Sequence, residues 1–137
     1  MLKSHQKLCR HRGAATVEFA LVAPLLFLFV LGLIEFARME MVEQKLVSAT
    51  QEACRAGVVP GSTSSDVQAR ATESLSGGLV PGATVSITPA EVATLKAGQP
   101  ITVRVQVPAQ QISWLPSPNF LKNRMLKAEC TMLREAK

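Results

Sequence analysis

The sequence predicts an α+β chain: a long N-terminal membrane-spanning helix that extends into a small external domain with a short antiparallel sheet. Three observations carry that expectation. Residues 19–34 read FALVAPLLFLFVLGLI, sixteen positions without a polar side chain. Beyond them, Met39, Val42, Leu46, Ala49, Ala53 and Gly57 recur at three- and four-residue spacing, the stripe of a helix with one buried face. Further on, Ile101, Val103, Val105 and Val107 alternate strictly with Thr102, Arg104 and Gln106, which is the period of a strand.

The apolar run alone falls slightly short of the ~20 residues that cross a hydrocarbon core as a helix. Residues 14–17, on the other side of Glu18, extend it to about 21, provided the carboxylate is tolerated. Leu, Phe and Val occupy every face, so this is not the one-sided stripe of a soluble helix. A cleaved secretory signal would need small residues one and three positions before its cut. The end of the run, GLIEFAR, offers Ala37 and Glu35 there, so the segment is expected to stay in the membrane.

Charge sets the expected orientation. Lys3, Lys7, Arg10 and Arg12 precede the run with no acidic residue among them, whereas Glu35, Glu40 and Glu43 mix with Arg38 and Lys45 beyond it. The positive-inside bias places the N-terminus in the cytoplasm and the chain after about residue 36 across the membrane. The same charges argue against nucleic acid. The net charge is +5, yet the N-terminal 13 residues hold four of the 15 Lys/Arg, leaving 11 against 10 Asp/Glu in the rest. A nearly neutral body has no basic groove for phosphates.

Catalysis is not expected either. The two histidines, His5 and His11, both precede Gly13, and there is no tyrosine. Without them the chain lacks the means for a His-dependent triad or a His-containing metal site. No catalytic residue, metal or cofactor is therefore assigned.

The helix is expected to continue to Gly57, where Val-Val-Pro60-Gly61 stops it. From Ala14 that is about 44 residues, or ~66 Å, enough to cross a membrane and stand beyond it. Pro24 should bend the helix within the membrane. Four segments follow: a basic leader over 1–13, a transmembrane helix over 14–35, its extramembrane continuation over 36–59, and an α+β domain over 60–137. In that domain, Ser64 or Ser65 is expected to cap a short helix carrying Val67, Ala71 and Leu75 on one face, ended by Gly77 and Gly78. Residues 83–88 and 100–107 should pair as antiparallel strands. Prolines at 108, 116 and 118 make residues 108–120 irregular, with Trp114 and Leu115 expected on the core. Residues 125–134 fit a strand with Leu126, Ala128, Cys130 and Met132 on one face, although a helix is also compatible.

Glu18 is the most informative residue before the apolar run. A carboxylate at the bilayer centre costs ~2.5 kcal/mol or more, but less near a helix end, where it reaches the interface and meets the positive end of the macrodipole. Its surroundings, RHRGAATVEFALVAPLLFLFVLGLIEFAR, resemble the N-terminus of type IV pilin-like proteins, and among them the TadE-like family of tight-adherence pilus systems. The matching features are the basic leader ending in Gly13, Glu18 as the fifth residue after it, the Glu18-Phe19 pair, Pro24, and a second Glu-Phe pair at Glu35-Phe36.

That resemblance implies a minor pilin or pseudopilin of the bacterial inner membrane. A prepilin peptidase would cut between Gly13 and Ala14 on the cytoplasmic side. The new amine of Ala14 would then lie near Glu18 of a neighbouring subunit as helices bundle, where opposite charges in low dielectric attract strongly. The implied partners are membrane lipid, the peptidase, other pilin-like subunits and the assembly machinery of a Flp-type pilus. The alternative is an uncleaved, signal-anchored envelope protein with an external interaction domain.

Cys9 lies in the leader, which leaves Cys54 and Cys130 as an even pair in an oxidising compartment. A disulfide between them would close a loop of about 77 residues, valued at ~4 kcal/mol by loop entropy. The other reading is two reduced, buried thiols acting as small hydrophobes.

Overall fold

The computed structural model describes residues 5–114 and 124–136. Its contacts divide the chain into two units, one up to Phe36 and a second from Ala37. Helix α1 (His5–Val58) begins in the first and ends in the second. The helix passes through both Gly13 and Pro24 without a break.

In the first unit, every large apolar side chain from Val17 to Phe36 is exposed, from 43% for Val30 to 74% for Leu25. A ring of Leu, Phe, Val and Ile on all sides of a helix is strongly unfavourable in water and natural in hydrocarbon. Among the described residues, this is the one helix long and apolar enough to cross a membrane.

The second unit is built on the other part of α1. There the stripe read from the sequence turns inward: Val42, Leu46, Ala49, Ala53 and Gly57 are buried, and Met39 is half-buried. Cys54 and Thr50 join them, and the Thr50 hydroxyl donates to the Leu46 carbonyl at 2.9 Å, which satisfies it inside the core. Helix α2 (Ser64–Leu75) buries Val67, Ala71 and Leu75 on one face. Its cap lies one residue before the expected serines. The Thr63 hydroxyl accepts from the Asp66 amide, while the Asp66 carboxylate accepts from the Thr63 amide at 2.9 Å, a reciprocal capping box. Ser64 is engaged elsewhere: its hydroxyl donates to the Ala90 carbonyl and accepts from the Val92 amide at 3.0 Å.

Three antiparallel strands follow in sheet order β1 (Thr84–Thr88), β2 (Pro100–Pro108) and β3 (Met125–Leu133). Ser86 faces Arg104 in one ladder and Val103 faces Cys130 in the other. Residues 125–133 are thus a strand, and the helical alternative fails because Leu126, Ala128, Cys130 and Met132 cover the core only at a period of two. The opposite face is polar. Arg104 donates to Glu129 at 2.8 Å and Thr102 shares a hydrogen bond with Thr131 at 2.8 Å.

The core shows how α1 lies on the sheet. Val42, Leu46 and Ala49 share one cluster with Val105, Val107, Ile112 and Ala128, and Ala53, Cys54 and Val58 share another with Ile101 and Val103. Rising numbers on α1 meet falling numbers on β2, so the two run antiparallel. Sixteen helical residues advance about 24 Å and six strand residues about 20 Å, so the two stripes match in length.

Two features were not expected. A short 3-10 turn, Val92–Thr94, buries Val92 between β1 and β2. Buried Arg134, just past β3, donates from its guanidinium to the Val92 carbonyl, while Gly98 and Gln99 bond its backbone at 2.8 and 2.9 Å. One expectation is overturned. Trp114 is not on the core but 72% exposed, and Ile112, after the 3-10 turn Ala109–Gln111, fills that place instead. An isoleucine fits the closed cluster without an N–H to satisfy. Leu115 lies outside the described residues.

Candidate functional site

The residues assigned from sequence to processing and assembly, Gly13, Ala14, Glu18 and Phe19, all sit on α1. All four are exposed, Phe19 at 72%, and no neighbour lies within 4 Å of where a Cβ on Gly13 would be. A glycine inside a helix weakens it by about 0.5–1 kcal/mol relative to alanine. Gly13 is therefore an exposed position of lower helix propensity with no side chain of its own.

Ala14 and Glu18 stand four residues apart on a continuous helix, so they share one face. Phe19 is turned about 100° from Glu18, given 3.6 residues per turn, and lies on a different stripe of the helix. The structure thus brings Ala14 and Glu18 together on one stripe and leaves Phe19 on another.

The cysteines come together from opposite ends of the second unit. Cys54 is fully buried near the end of α1 and Cys130 is half-buried on β3. The Cys54 thiol donates to the Cys130 carbonyl at 3.0 Å, and both thiols are free. Burial, reinforced by hydrogen bonding with the Cys130 side chain, pushes the Cys54 thiol up to about 12. It is held protonated at neutral pH and is a poor nucleophile in this state.

The exposed sheet face offers hydroxyls from Ser86, Thr88 and Thr102 around the Arg104–Glu129 pair. A paired arginine and carboxylate supply neither a nucleophile nor a base. Among the described residues, no group of three or more His, Cys, Asp or Glu is arranged to hold a metal.

One pair was missed from sequence. The Arg38 guanidinium lies 4.0 Å from the centre of the Trp114 ring, and its Nε donates to the Ile112 carbonyl at 3.0 Å. A basic residue just past an apolar run was visible, but nothing in the spacing joined it to a tryptophan 76 positions later.

Residues 13–55 match the family model described as TadE-like protein. The match begins at Gly13 and ends one residue past Cys54, covering the apolar segment and most of the buried stripe of α1. It spans just under a third of the chain and stops before α2 and the sheet. No curated protein and no solved structure matches.

Proposed function

Because the chain is TadE-like over residues 13–55, we propose that it is a minor pilin or pseudopilin that takes part in assembly of a tight-adherence pilus. The observation that carries this reading is the exposed, all-round apolar part of α1 with Glu18 near its start, five residues after Gly13. In this reading a prepilin peptidase opens the helix at the Gly13 weak point and cuts before Ala14. The second unit stands on the far side of the bacterial inner membrane.

The cut would create an ammonium on the same helical stripe as Glu18. In hydrocarbon neither charge is stable alone, so each seeks an opposite charge. A neighbouring helix shifted by about one turn would place its carboxylate beside this ammonium, and that preference sets the stagger between subunits. Export to an oxidising compartment would also join Cys54 to Cys130, locking the end of α1 to β3.

The test is the mature N-terminus. In cells carrying the cognate peptidase, sequencing should read AATVEF. Intact Met1 under those conditions would sink this reading in favour of an uncleaved, signal-anchored protein.

A further inference from the structure

Trp114 is the only tryptophan in the chain and, among the described residues, the most exposed large apolar residue of the second unit at 72%. Such an indole is costly to leave in water, and it is not loosely placed. Arg38 stacks on its ring at 4.0 Å, and the Arg38 Nε–H holds the Ile112 carbonyl two residues before it at 3.0 Å. Ile112 is itself 1% exposed and anchored in the core, so the turn that carries the indole has a firm base.

The position of Arg38 in the chain gives the indole its surroundings. Arg38 follows Phe36, the last of the exposed apolar residues of the run, by two positions on the same helix. At 1.5 Å per residue the guanidinium is within one turn of the end of the apolar segment, and Trp114 goes with it. That depth is the headgroup layer, where the apolar body of an indole meets acyl chains and its N–H meets water or phosphate. A guanidinium on the same spot suits lipid phosphates, which it binds with a planar array of donors.

We propose that the Arg38–Trp114 pair is a lipid-headgroup contact of the second unit. The proposal rests on the membrane reading of α1 but not on cleavage at Gly13 or on pilus assembly. It adds a second attachment of the protein to the bilayer, made by the loop after β2 rather than by the spanning helix. A subunit drawn out of the membrane would have to give this contact up.

A single tryptophan makes the test direct. The full chain is reconstituted into phosphatidylcholine–phosphatidylglycerol vesicles whose acyl chains are brominated either just below the headgroup or near the chain ends. The chain should float with the vesicles and its emission should be blue-shifted, about halved by the shallow bromines and little changed by the deep ones. A chain that floats with unquenched emission would overturn the proposal while leaving the membrane reading intact. Unquenched but blue-shifted emission would show that protein rather than lipid covers the indole, and also overturns it. A chain that fails to float overturns the membrane reading and this proposal together. In Arg38→Gln, with helix and sheet content retained by circular dichroism, shallow quenching should fall. Unchanged quenching would remove the guanidinium from the contact.

Discussion

Gly57 of α1 lies so close to Ile101 of β2 that a methyl group on the glycine would overlap the Ile101 terminal methyl and press on Val67 of α2 at 3.1 Å. All three are buried, so none can move aside into solvent. The end of α1 is seated on the sheet through this contact. Around it, the Ser62 hydroxyl donates to the Gly57 carbonyl at 3.0 Å and the Glu135 amide to the Val58 carbonyl at 3.2 Å, covering helix-end carbonyls that lack partners within the helix.

Gly57→Ala should therefore destabilise the domain although alanine is the better helix former. Overpacking costs about 1–3 kcal/mol against roughly 1 kcal/mol gained in propensity. Ile101→Val removes the methyl that the new side chain meets. In thermal unfolding the double variant should lose less than the sum of the two single losses. Additive losses would show that the contact does not limit the packing.

The Cys54 thiol predicts a loss of stability at alkaline pH in the reduced protein. Its value rises from about 9 to about 12 on folding, because burial opposes the thiolate. Between those values the unfolded chain releases a proton that the folded chain keeps. Stability from this group is thus complete below about pH 9 and is lost as pH rises toward 12. Melting of the reduced chain should fall across that window, and the Cys54→Ala variant should show a shallower fall there.

Oxidation should act on the same pair. Exported protein is expected to carry a Cys54–Cys130 bond, seen as a mass two hydrogens lighter and as a peptide pair released by reduction. Reduction should lower stability by up to about 4 kcal/mol, the loop-entropy value for a closure of this size. Two thiols that react fully with an alkylating reagent in the exported protein would exclude the bond.

The capping box gives an acid-side prediction. Hydrogen bonds from the Thr63 hydroxyl and amide hold the Asp66 carboxyl below its usual range. The stability this adds is present above the ordinary carboxylate value and fades as pH falls through the lowered one. Thr63→Ala should cost about 1 kcal/mol at neutral pH, typical of a lost N-cap. Its carboxylate should then titrate closer to the ordinary value, which NMR of Asp66 would show.

Glu18→Gln separates insertion from assembly. The amide costs less in hydrocarbon, so membrane anchoring should persist or improve. Assembly should fail, because the ammonium at Ala14 would lose its partner. Pili at wild-type level in that variant would remove Glu18 from the proposed function.

The elements that followed from local pattern were legible without coordinates. An all-round apolar run, a stripe at helical spacing and a strict alternation each state their own surroundings, because each is a demand that a periodic backbone makes on its solvent or its neighbours. The resemblance of residues 13–55 to the TadE-like family was legible for a different reason: a glycine and a carboxylate at a set distance before an apolar helix form a recognisable pattern. The α2 cap was off by one because four hydroxyl residues stand in a row, Ser62 to Ser65, and neighbouring ones compete to cap. The choice fell to Thr63 because Ser64 was wanted by Ala90 and Val92 from another part of the chain.

The sequence by itself determined the all-round apolar character of the first part of α1, the buried stripe of its second part and the alternation of β2, since these depend on spacing within one segment. Only the tertiary structure decided that Ile112, not Trp114, enters the core, that Arg134 reaches back to Val92, and that Arg38 meets Trp114. Each of those joins residues about 40 to 80 positions apart, and loop closure at that range costs so little more than at half of it that spacing carries no signal. Which distant pairs meet is settled by how a helix of 1.5 Å per residue and a strand of about 3.3 Å per residue match their apolar stripes, and that match exists only once both are folded.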